Sequence, residues 1–207
     1  MKTDNSILRQ QALNSLTGKW GIAIGGCLLY LITSAVCQNI PVLGPVASLI
    51  LSGPFQLGLT KFILSIARNN EPRIEQLFEG FNDFTRAMQA YLRMVLFIIL
   101  WSLLLIVPGI IAAFSYSMTF YILADDQNIS AVDALNKSKS MMDGHKMDLF
   151  LMSLSFIGWA LLCILTLGIG FLWLFPYMNV SIAKFYQDIK GDEETYSSNT
   201  GLLDDLV

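Results

Sequence analysis

MVLFIILWSLLLIVPGIIAAFSYSMTFYILA, residues 94–124, contains no Asp, Glu, Lys or Arg. One helix crosses ~30 Å of hydrocarbon in about 20 residues, at ~1.5 Å of rise each. The stretch is too long for one crossing, and Pro108-Gly109 stands near its centre. Proline removes a helix donor and clashes with the preceding turn, while glycine permits a sharp reversal. Two crossings are therefore expected, near 91–107 and 109–125. Each is short, at roughly 15 uncharged residues or ~22 Å, so Arg93 must snorkel toward the interface. The rival reading is a single kinked crossing.

Outward from this block the pattern recurs. Residues 20–60 and 149–183 are also free of charge. Pro41-Val42-Leu43-Gly44-Pro45 breaks the first and Thr166-Leu167-Gly168-Ile169-Gly170 the second. The spacing predicts crossings near 20–39, 44–66, 147–166 and 169–188. Six crossings as three hairpins leave all 13 Lys and Arg on one side of the membrane. Cytoplasmic loops carry that excess, so both termini are expected inside. Five crossings would put Lys137, Lys139 and Lys146 outside. The charge pattern favours six.

Composition agrees. Among 207 residues, 54% are hydrophobic and 14% charged, against about 25% charged in ordinary globular chains, and the mean hydropathy is +0.56. A net charge of −3 gives no reason to expect nucleic acid as a partner. Cys27, Cys37 and Cys163 lie inside apolar runs without a C-x-x-C pair, and read as small buried hydrophobes. The only histidine, His145, has acids nearby but no second histidine or cysteine, so neither a metal nor another cofactor is expected. No G-x-S-x-G, H-E-x-x-H or phosphate-binding loop is present, and the chain is not expected to be an enzyme.

The fold class expected is an all-α polytopic membrane protein, each hairpin preceded by a cytoplasmic amphipathic helix. Residues 1–190 form one membrane domain, with hairpins near 20–66, 91–125 and 147–188, and residues 191–207 an acidic disordered cytoplasmic tail. The clearest amphipathic stretch runs from Ile74 to Leu92, with Leu77, Phe78, Phe81, Phe84 and Met88 on one helical face. Another opens on Ser130-x-x-Asp133, close to a capping box, and ends before Gly144. The first covers Ile7 to Leu16 and ends before Gly18. Such helices either lie on the membrane interface or pack beneath the bundle. The hairpin exits Thr60-Lys61-Phe62-Ile63, Thr119-Phe120-Tyr121-Ile122 and Ala183-Lys184-Phe185-Tyr186 suggest one unit used three times.

Candidate functional residues fall into three groups. Pro54 and Pro176 interrupt crossings beside neutral polar groups, and a freed backbone carbonyl is tolerated where it is packed in protein or lines a cavity. A pocket of Pro54, Gln56, Tyr116, Tyr177 and Asn179 is one reading; hydrogen bonds that fix helix packing are the other. Lys19, Arg86, Arg93 and Lys146 are candidates for anionic lipid headgroups. Gly21 and Gly25 form a G-x-x-x-G for close helix packing.

Several segments carry a family resemblance: Leu77-Phe78-Glu79-Gly80-Phe81, Leu103 to Ile110, Tyr121-Ile122-Leu123-Ala124-Asp125, Met141 to Phe150, and Leu154 to Trp159. Through them the chain resembles, from about Ala12 to Tyr186, an uncharacterised family of bacterial integral membrane proteins classed as a domain of unknown function. That family is similar to membrane domains attached to glycerophosphodiester phosphodiesterases. The resemblance implies six spans in a bacterial inner membrane and supplies no catalytic residue. The function expected is a non-enzymatic module that binds or handles lipid, or an amphipathic molecule, at the cytoplasmic interface. A small transporter or permease component is the alternative, and a structural partner of another membrane protein the third.

Overall fold

The computed structural model describes residues 3–38 and 44–204, with side chains outside 37–48 and 192–204. It is helical, with no strand among the described residues. The helices are α1 (Asn5–Leu16), α2 (Trp20–Gln38), α3 (Gly44–Ala67), α4 (Phe84–Leu104), α5 (Ile106–Ser115), α6 (Thr119–Asp125), α7 (Ala131–Met141), α8 (Lys146–Leu165) and α9 (Phe171–Asp204). The predicted turn at Pro41 to Pro45 falls largely outside the described residues. No break separates the predicted tail from the membrane domain, because α9 runs through their boundary.

Four helical segments are long and apolar enough to cross a membrane: Leu49–Ala67, Phe84–Leu104, Ile106–Asp125 and Lys146–Leu165. A fifth arises if α1 and the start of α2, bent by 98° at their junction, are taken together. Six were expected. Asn179, Lys184, Asp188 and Lys190 dilute the apolar run of α9.

The middle block differs from its prediction in three ways. First, α4 begins at Phe84, not near 91, and its 21 residues remove the expected shortage of length. Second, the reversal falls at Leu105, with extended backbone (φ −161°, ψ 148°), and Pro108 sits in the first turn of α5, where a missing N–H costs no helix bond. Gly109 lets α5 approach α4, since a Cβ there would strike the side chain of Ser102. Third, the second crossing is split between α5 and α6. Ser115, Ser117 and Thr119 each turn their hydroxyls back onto a carbonyl three or four residues earlier.

The predicted amphipathic helix over 74–92 is not one helix. Two 3-10 turns, Ile74–Leu77 and Glu79–Phe81, precede α4. Their backbone lies directly on α3: a Cβ at Gly58 would overlap the Leu77 carbonyl, and one at Gly80 the Pro54 carbonyl. Backbone approach this close excludes the side chains a continuous helix would place there.

By contrast, α1 and α7 form where expected. Asp4 caps α1 by accepting from the Ser6 N–H, a bond that holds its carboxyl below the ordinary value. Ser130 caps α7 by accepting from the Asp133 N–H, and its hydroxyl donates to the Asp133 carboxylate. Gly18 and Gly144, at φ +78° and +79°, turn the chain out of these stretches. The apolar faces of both helices pack on the bundle: Leu8, Ala12 and Leu16 on α3 and α9, Ala131, Ala134 and Met141 mainly on α6 and α4.

The bundle has two zones. In one, α3, α6 and α9 meet around fully buried Phe62, Ile63, Met118, Leu123, Val180 and Tyr186. In the other, large apolar side chains face outward, among them Leu96, Leu100 and Leu103 of α4, Ile106 of α5, and Leu151, Leu154, Leu161 and Leu165 of α8. A belt of exposed leucine on several helices is consistent with lipid around it. Burial separates central from peripheral helices: 61% of the apolar segment in α3 and 50% of that in α5–α6 is buried, against 11% for α4 and 22% for α8.

Candidate functional site: cavities between the helices

The α5–α6 break organises two cavities. Ser138 of α7, fully buried, donates to the Ser115 carbonyl at 2.8 Å and accepts from the Met118 N–H at 3.2 Å. One hydroxyl therefore satisfies a carbonyl and an N–H at the break, groups costly to leave unpaired when buried. The same bond brings α7 to the end of α5.

The first cavity, about 300 Å³, follows from this placement. Lys139, next to Ser138, and Lys146, the first residue of α8, line it together with Ser115 and Tyr116. Its walls include Trp101, Pro108 and Ile111. Pro108 lies two turns from Ser115 along α5, about 10 Å, and the cavity has both cationic and apolar lining. Lys146 Nζ lies 3.6 Å from an Asp143 oxygen, but that carboxylate is 86% exposed and such a pair holds the ammonium weakly. Lys139 makes no ion pair among the described residues.

The second cavity, about 270 Å³, sits among α3, α5, α6, α8 and α9. Gln56, Ser117, Tyr121, Ser153 and Asn179 supply its polar lining. A third, about 340 Å³ and almost wholly apolar, is walled by Trp20, Trp159, Trp173 and Tyr177.

The five residues of the predicted pocket are thus distributed. Gln56 and Asn179 share the second cavity, Tyr116 lines the first and Tyr177 the third. Pro54 is buried in α3, where its carbonyl faces Gly80. Gly21 and Gly25 face open space, and the close approach falls one residue on, at Gly26 against the Phe62 ring.

The basic residues also divide. Arg86 is engaged within the protein, bonding Asp83 and the carbonyls of Leu123, Asp126 and Ile129 at 2.8–3.4 Å. Lys19 donates to the Asn70 carbonyl at 2.9 Å. Arg93 is half-buried on α4. Of the four, Lys146 alone lines one of these cavities. Sequence reasoning missed Lys139 as its companion, and missed Ser138, Tyr121 and Ser153. Lys139 carried a signal, as a basic residue just before the helix-ending Gly144. The others carried none.

An ionic knot closes one end of the central helices. Asp125, ending α6, accepts from Arg68 just past α3 and from Tyr186 and Lys190 of α9. Tyr186 also stacks on Tyr121, with ring centroids 5.3 Å apart.

Fold and cavities together define the class: an all-helical protein with helices suited to crossing a membrane and lined cavities between them. The chain belongs to the family described as "Protein of unknown function (DUF975)", whose model matches residues 1–112 and 102–193. No curated protein and no solved structure matches it.

Proposed function

We propose that this chain is a six-crossing protein of a bacterial cytoplasmic membrane, both termini inside, and that it holds an anionic lipid or amphiphile at the cytoplasmic interface. The observation that carries this reading is the first cavity, lined by two ammonium groups together with the apolar surfaces of Trp101, Pro108 and Ile111. An anionic headgroup satisfies Lys139 and Lys146, while an acyl chain covers apolar wall that water would leave unfavourably hydrated. The four long apolar helices, joined by α2 and the apolar start of α9, support six crossings. The one-sided distribution of Lys and Arg supports the orientation.

Mass spectrometry of the full-length protein, gently extracted from its membrane, tests the reading. The expected result is an anionic lipid or amphiphile at near-stoichiometric level, lost from Lys139→Ala/Lys146→Ala. Bulk lipid in membrane proportions, unchanged by the double variant, would contradict it. A co-purifying polypeptide in place of a lipid would point to a structural partner.

A further inference from the structure

The second cavity differs from the first in chemistry and is independent of the lipid reading. No Asp, Glu, Lys, Arg or His lines it. Its donors and acceptors are nonetheless incompletely used. Gln56 accepts from the Tyr30 hydroxyl at 3.2 Å through Oε1, leaving its amide N–H groups available. Asn179 donates to the Phe175 carbonyl at 2.8 Å through Nδ2, leaving Oδ1 available. Ser117 and Ser153 donate to Phe114 and Leu149 of their own helical segments, leaving oxygen lone pairs. Tyr121, more than nine-tenths buried, has no hydrogen-bond partner for its hydroxyl among the described residues.

The Tyr121 hydroxyl is not enclosed by protein but opens onto the cavity, where an unpartnered donor is satisfied only by what occupies the space. The contact of α2 with α3 accounts for Gln56 Oε1 and a bond within α9 for Asn179 Nδ2, but neither accounts for the remaining groups. A fixed charge would enter with no counter-charge, at a cost of several kcal/mol. The volume equals about nine waters, at ~30 Å³ each.

We propose that this cavity is a binding site for a small uncharged polar molecule bearing both donors and acceptors, such as a polyol, and that it excludes ions. Gln56 and Tyr121 donate to the ligand, and Asn179, Ser117 and Ser153 accept from it. The site lies where α3, α5–α6, α8 and α9 meet, so its occupant touches most of the central bundle at once.

The test uses the full chain in lipid nanodiscs with Cys27→Ala, Cys37→Ala and Cys163→Ala, and Ser153→Cys as reporter. Three methanethiosulfonates are compared, each scaled to its rate with free cysteine: the uncharged methyl, the anionic sulfonatoethyl and the cationic trimethylammonioethyl reagents. The expected result is modification at least tenfold faster by the uncharged reagent, slowed saturably by xylitol and not by the bulkier sucrose. Gln56→Leu/Asn179→Leu should abolish the xylitol effect. Leu151→Cys, on the exposed face of α8, should remain slow with all three reagents. Equal scaled rates at Ser153→Cys would reveal an unselective aqueous opening. No modification would reveal a closed or lipid-filled space. Equally fast neutral labelling at Leu151→Cys would reduce the effect to partition into lipid, and absence of xylitol protection would remove binding. Any of these overturns the proposal. Lipid retention unchanged in Lys139→Ala/Lys146→Ala, which contradicts the lipid reading, leaves this proposal untouched, so the two readings fail separately.

Discussion

Nη2 of Arg68 lies 2.6 and 2.7 Å from the two carboxylate oxygens of Asp125, joining the ends of α3 and α6. Lys190 at 2.9 Å and the Tyr186 hydroxyl at 3.0 Å bring α9 to the same carboxylate. Asp125→Ala leaves two cations facing each other at a junction of three helices. A loss of about 2–3 kcal/mol is expected from the lost charge-assisted bonds. It should fall short of a fully buried pair, because the Arg68 and Lys190 side chains stay about one-third exposed. Thermal unfolding in detergent checks this, with Asp125→Asn intermediate.

Arg86 should prove structural. It bonds three carbonyls at and beyond the end of α6, as well as Asp83. Cations at a helix C-terminus also complement its dipole. Arg86→Gln is expected to lower the unfolding midpoint by several degrees, since about 1 kcal/mol corresponds to roughly 2–4 °C for a chain of this length. Retention of anionic lipid should not change. Lost lipid with an unaltered midpoint would return Arg86 to the headgroup role its sequence position suggested.

Ser138→Ala removes the side-chain oxygen that bonds both the Ser115 carbonyl and the Met118 N–H. Each buried backbone group left unpaired costs about 1–3 kcal/mol. Hydrogen exchange across 115–119 should accelerate, while exchange in the middle of α8 stays unchanged. Uniform acceleration would mean that the hydroxyl is not the local tie.

Glycine substitutions should sort by position and not by motif. Gly58→Ala drives a methyl into the Leu77 carbonyl and should cost about 1–3 kcal/mol or more, as overpacking does. Gly25→Ala meets nothing within 4 Å, and should gain up to about 1 kcal/mol from reduced chain entropy. Comparison of the two unfolding midpoints in the same detergent is sufficient.

What the sequence revealed depended on whether the cause was local. Charge-free runs, the Thr166 to Gly170 reversal, the Ser130 cap and the glycines at 18 and 144 act through their neighbours, and each was legible. The reversal near Pro108 was legible within a few residues, since proline and glycine marked the turn without fixing its side. The 74–92 segment was misread because its apolar spacing suits one helix, whereas the contact of Gly80 with α3 comes from residues far away in sequence. The α5–α6 break failed likewise. Its serines were visible, but Ser138, which satisfies the freed groups, lies in another helix. Gln56 and Asn179 were legible as polar residues in apolar helices, and both line one cavity. Tyr116 and Tyr177 were grouped with them by composition, and helix rotation sends them to separate cavities.

The most direct test of the anionic-amphiphile site is quenching of Trp101, which lines the cavity, in a chain carrying Trp20→Phe, Trp159→Phe and Trp173→Phe. Phosphatidylglycerol brominated on its acyl chain would be titrated into nanodiscs of phosphatidylcholine. Saturable quenching is expected at low mole fraction, beyond that from brominated phosphatidylcholine, with its loss in Lys139→Gln/Lys146→Gln. Equal quenching by the two lipids, unaffected by the lysine substitutions, would contradict it.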